Sequence, residues 1–209
     1  MKRVFLLGDS VFDNGAYVPG QPDVREQVQE LMPANAVVEL LARDGAKIGD
    51  VEAQLRRIPG DATHLVVSAG GNDAIQASSL LNESAASMAD AIEKLGAVAE
   101  RFAARYSAML DLLLGRRLPL AVCTIYEPPF PDLHRRKIAV TALTALNDQI
   151  TRQAFSRGLT VIDLRIIFDR VEDFANPIEP SVQGGAKIAR AIMKFVSGVR
   201  SSAAVIASN

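Results

Sequence analysis

The sequence predicts an α/β fold: a three-layer αβα sandwich around a five-stranded parallel sheet, with residues 1–200 forming one domain and 201–209 a C-terminal tail. Three observations lead there. Five short apolar runs are separated by stretches with helical spacing, the alternation of a parallel sheet with crossover helices. The runs lack polar alternation, as strands buried on both faces do. Two of them stop abruptly at glycine followed by polar residues, as strands do where ligands collect at the carboxyl edge of such a sheet.

The first run, residues 4–7, ends at Gly8-Asp9-Ser10, and residues 16–23 then hold two prolines and a glycine and form a loop. Asp23 is placed to cap a helix to about Met32, with Val24, Val28 and Leu31 on one face. A second strand covers 36–41. Asp50 is expected to cap the next helix, in which Val51, Leu55 and Ile58 repeat before Pro59-Gly60 ends it. The third strand, 64–69, runs straight into Gly70-Gly71-Asn72-Asp73. Between 84 and 114 a stripe of Met88, Ile92, Leu95, Ala99, Phe102, Tyr106, Met109 and Leu113 is expected to pack on the sheet along its length. A fourth strand, 118–125, precedes a proline-rich loop, 126–131, that shapes the substrate end of the sheet. Leu143, Leu146, Ile150 and Ala154 mark a helix ending at Gly158; 159–164 is the fifth strand; Ile188, Ile192 and Phe195 belong to a last helix from about Ser181.

Composition narrows the function classes. With 23 basic and 24 acidic residues and no long run of either sign, nothing points to nucleic acid or an anionic membrane. Cys123 is the one cysteine, reads as a buried strand residue, and leaves no internal disulfide. The first apolar run is too short for a signal-peptide core or a membrane span, so the expected location is the cytoplasm. No nucleotide-binding glycine pattern follows any strand, and no cofactor is expected. Oligomeric state is not legible.

Gly8-Asp9-Ser10 with Asp13-Asn14-Gly15, and later Gly70-Gly71-Asn72-Asp73, resembles the GDSL, or SGNH, hydrolases, which are esterases and lipases. The resemblance spans nearly the whole chain and implies a flavodoxin-like strand order. It implies Ser10 as nucleophile, with its own N–H, the N–H of Gly49 and the side-chain amide of Asn72 as donors to an oxyanion, and Asp9 and Asp73 as acceptors holding their loops. These residue types suit acyl transfer. A glycine admits a carbonyl close to the main chain, and an amide donates without charge.

The last block departs from the family. Where that pattern has Asp-x-x-His-Pro and a following glycine, this chain reads Asn176-Pro177-Ile178-Glu179-Pro180, then Gly184. Asparagine cannot stabilise an imidazolium, and no imidazole is present there. Three readings of the base stay open: Glu179 with a raised pKa, His134 folded back from the loop after the fourth strand, or no base at all. His64 falls at the opposite sheet edge. A Mg²⁺ or Ca²⁺ site from Asp9, Asp13, Asp73 and Glu179 matches no established metal loop and is set aside. The sequence thus points to a serine hydrolase of small or medium acyl esters, possible ligands including lipid and acetylated sugar, acting through Ser10, Gly49, Asn72 and Glu179. The alternative is an impaired relative that binds an ester, acyl or sugar ligand.

Overall fold

A computed structural model describes residues 1–199; the expected tail at 201–209 lies outside the described residues. The sheet strands are β1 (Arg3–Gly8), β2 (Val37–Leu40), β3 (His64–Ser68), β4 (Leu120–Cys123) and β5 (Thr160–Ile162). They run parallel in the order β2-β1-β3-β4-β5, the flavodoxin-like order. The helices are α1 (Val24–Leu31), α2 (Val51–Leu55), α3 (Gly71–Ala77), α4 (Met88–Leu114), α5 (Leu133–Ser156), α6 (Leu164–Ile167) and α7 (Val182–Val196). None among the described residues is long and apolar enough to cross a membrane.

Two cores lie against the sheet, one on each face. Phe5, Leu7, Leu65, Val67 and Val122 pack with residues of α2, α4 and α5. Val4, Leu6, Val66, Ala121 and Cys123 face the other way, toward α1 and α7. Alternate residues of one strand thus enter different cores, which is why the runs carry no polar alternation.

The cap at Asp23 forms as expected, its Oδ1 accepting from Glu26 N–H at 2.7 Å, and Ser181, where the last helix was expected to start, caps it with Oγ accepting from Gly184 N–H at 3.2 Å. Asp50 differs. Its carboxylate accepts from Lys47 N–H at 2.8 Å and closes a 3₁₀ turn, Ile48–Asp50, instead of capping α2. The long stripe also differs, because Met88 and Ile92 are 76% and 63% exposed and burial starts at Ala99. A helix of 27 residues is about 40 Å long, whereas the five residues of β3 span about 17 Å, so the first turns of α4 extend past the sheet.

A small hairpin, β6 (Phe174–Asn176) with β7 (Glu179–Pro180), is too short to leave a periodic signal. It precedes α7, which packs close against it at Gly184. A Cβ there would meet the Asp173 carbonyl oxygen at 2.1 Å and the Phe168 ring at 2.9 Å. Gly184→Ala should therefore push α7 off this segment and cost about 2–4 kcal/mol, read as a lower urea midpoint at unchanged slope.

Candidate active site

The site begins where β1 ends. Gly8 has φ +113°, and a Cβ on it would stand 1.6 Å from the Ser68 carbonyl oxygen, so only glycine fits between β1 and β3. Buried Gln54 on α2 closes around the turn: its Oε1 accepts from Gly8 N–H at 2.7 Å and its Nε2 donates to Gly8 O at 2.9 Å. Asp9 N–H donates to Ser68 O at 3.0 Å, and Asp9 O accepts from Phe12 and Asp13 N–H. The turn leaves Ser10 at the carboxyl edge of the sheet, 7% exposed.

Asp9 faces inward. Burial pushes its carboxyl up to about 7, opposed by hydrogen bonds from Val11 N–H and the Ser68 side chain. Its Oδ1 accepts from Val11 N–H at 3.2 Å within the turn.

Two further segments, those after β2 and β3, are tied to each other. Asp73 Oδ2 accepts from Ile48 N–H at 3.0 Å and its Oδ1 from Arg105 at 3.3 Å, pinning the 3₁₀ turn of Gly49 to α3. Asn72 Nδ2 donates to Ala46 O at 3.0 Å, leaving its second amide hydrogen for another acceptor. Neither Ser10 N–H nor Gly49 N–H has an acceptor among the described residues. Three donors are thereby uncommitted on segments that follow β1, β2 and β3.

Glu179 arrives from the hairpin. Ser10 Oγ donates to Glu179 Oε1 at 3.1 Å, and the glutamate is 5% exposed. Its Oε2 is buried and has no partner among the described residues. Burial pushes the carboxyl up to about 7; the Ser10 hydroxyl opposes this and the Asp44 charge adds to it. Asp44 lies on the rim, where Tyr17 Oη donates to its Oδ2 at 2.7 Å and its own N–H donates to Asp13 Oδ2 at 2.9 Å. That bond to Asp44 holds the Tyr17 hydroxyl up at about 12.

The other candidates lie apart. His134 is exposed on the first turn of α5 and hydrogen-bonds to neither Ser10 nor Glu179. His64 lies at the opposite edge, 2.9 Å from Thr63 Oγ1 and edge-on to Phe195. Asn176 is exposed and its Oδ1 accepts from Ile178 N–H at 3.0 Å, so it shapes the hairpin turn without orienting a base. Among the described residues no group of three or more His, Cys, Asp or Glu side chains could hold a metal ion. Gln54 and Tyr126 support the site without having been singled out for it by sequence, since an amide in a helix or a tyrosine before prolines carries no chemical motif; Asn14 stood in the first block, with no role assigned to it.

A five-stranded parallel sheet in this order, with a serine after β1 and an asparagine after β3 at one edge, is the arrangement of an SGNH-type hydrolase. The GDSL-like lipase/acylhydrolase family model matches residues 6–186, and the chain belongs to that family. Among solved structures it resembles an extracellular lipase from Streptomyces rimosus, TM-score 0.68 and 15% identity, covering 96% of this chain and 100% of that one. It also resembles a phospholipase A1 from Streptomyces albidoflavus NA297, TM-score 0.64 and 16% identity, covering 94% and 98%. A third is an aryl esterase from M. smegmatis, TM-score 0.63 and 12% identity, covering 96% and 100%. At these identities the likeness is one of fold. No curated protein matches the sequence.

Because the Glu179 carboxyl titrates near 7 in the folded chain against an ordinary 4.5, its contribution to stability is full below about pH 4.5 and is lost as pH rises through 7. Glu179→Gln cannot ionise. Its stability relative to wild type should therefore improve by on the order of 2 kcal/mol between pH 5 and pH 8, measured by denaturant unfolding at each pH.

Proposed function

We propose that this chain hydrolyses small or medium acyl esters through a Ser10–Glu179 dyad. The observation that supports this best is the 3.1 Å hydrogen bond from the Ser10 hydroxyl to a buried carboxylate. Ser10 Oγ attacks the acyl carbon as its proton passes to Glu179 Oε1, and the carbonyl π electrons move to oxygen. That oxyanion is received by the N–H groups of Ser10 and Gly49 and the amide of Asn72. Collapse breaks the bond to the leaving alkoxide, which takes the proton from Glu179. Water then repeats the sequence on the acyl-serine, with Glu179 again as base.

A free glutamate is too weak a base for this at neutral pH; one held near 7 is matched to it.

A fluorophosphonate probe tests the serine and its base. Wild type should be labelled, Ser10→Ala not at all, Glu179→Gln at least a hundredfold more slowly, and His134→Ala at the wild-type rate. No labelling of folded wild type would replace this reading with a pocket that binds an ester, acyl or sugar ligand without turnover. With an ester substrate, kcat/KM should rise with pH through about 7, as the base loses its proton, and Asn72→Ala should lower kcat about a hundredfold. A flat pH profile would exclude Glu179, and unchanged turnover in Asn72→Ala would exclude its amide.

A further inference from the structure

The glutamate sits on a two-residue strand that pairs only with β6, in a hairpin outside the main sheet. A two-stranded hairpin is marginal by itself in water. Two side chains from other elements grip it at the carbonyls of the residues on either side of Glu179. From the loop after β4, Tyr126 Oη donates to Ile178 O at 2.6 Å. From the loop after β1, Asn14 Nδ2 donates to Pro180 O at 3.2 Å.

Neither grip is loose. Asn14 is fully buried and its Oδ1 accepts from Val24 N–H at 2.9 Å, which fixes which way the amide faces. The Tyr126 ring stacks on Phe168 at 4.8 Å and meets Phe174 edge-on at 5.2 Å, while Phe168 and Phe174 contact each other at 4.9 Å. That trio anchors the tyrosine to β6 independently of its hydroxyl. Asn14 is also four residues from Ser10, so one short stretch of chain and one hydrogen bond join the serine to the strand of the glutamate.

We infer that Asn14 and Tyr126 are positioning residues that set the distance between Ser10 and Glu179 and hold the glutamate carboxyl in its buried place. The inference rests on Glu179 being the base. Tyr126 is not part of a substrate-shaping loop, since it is buried and faces the hairpin. The ionisable groups that face Glu179 are Asp9 from the turn after β1, Tyr17 and Asp44 from the rim, and Tyr126 itself. None is a cation that could hold the carboxylate charged, so its protonation reports how deeply it is buried.

Tyr126→Phe keeps the ring and removes only the donor. Its expected effect is a kcat lower by about ten- to a hundredfold, with KM changed less than about threefold, as displacement of a reacting group produces. The carboxyl should also gain water. The rise of kcat/KM, and the Glu179 titration followed by carbon NMR with Glu179→Gln as the assignment control, should both move to lower pH by about one unit. Asn14→Ala should move both in the same direction. A loss of melting temperature with the titration and the kcat–KM balance as in wild type would make both residues merely structural and overturn the inference. Should Glu179→Gln abolish serine labelling while Tyr126→Phe leaves the titration in place, this inference alone fails. Should Glu179→Gln label like wild type, the assignment of the base fails, and this inference with it.

Discussion

A carbonyl oxygen on β3 and the α-carbon of Gly8 on β1 approach so closely that no side chain can stand between them. That contact lets β1 end in a left-handed turn directly beside its neighbour, with Gln54 supplying the two hydrogen bonds that a strand partner would have given. Asp9 is forced inward by the same turn and Ser10 outward. The direction of the serine is thus a consequence of backbone packing within the sheet. The 3₁₀ turn of Gly49 and helix α3 are then tied to each other by Asp73 and Asn72.

The glutamate depends on a different kind of support. An imidazole accepts a proton near neutrality with little help, whereas a carboxylate must first be deprived of water. Here the aromatic trio of Tyr126, Phe168 and Phe174, the close approach of α7 at Gly184 and the loop of Asn14 supply that environment. The hairpin that bears Glu179 is a two-stranded element held from outside by Tyr126 and Asn14.

The sheet was legible because burial on both faces writes itself into unbroken apolar runs such as 4–7 and 65–67. Ser10, Asn72 and Glu179 stood out as candidates because each lies in a block with a recognisable frame. The failures follow from what a sequence pattern omits. Met88 and Ile92 continue a helical stripe into solvent, since periodicity records a face and carries no information about where the sheet stops. The Asp50 carboxylate had two nearby amide partners, and the local 3₁₀ turn won. The contact that supports the glutamate reading proposed above, Ser10 with buried Glu179, joins residues 169 positions apart, a proximity that no sequence pattern records.

Exchanging histidine for glutamate also alters the charge account of the reaction. A Ser–His pair is neutral at rest and becomes a cation beside an oxyanion, so the two new charges attract each other. A Ser–Glu pair starts with one negative charge and, on the reading given above, hands it over: as the carboxylate takes the proton, the charge moves to the substrate oxygen and no cation appears opposite. The three donors at Ser10, Gly49 and Asn72 must then stabilise a migrating charge by dipoles alone, beneath a rim that already holds Asp13 and Asp44. Such a site favours esters that bring no further negative charge near the cleaved bond.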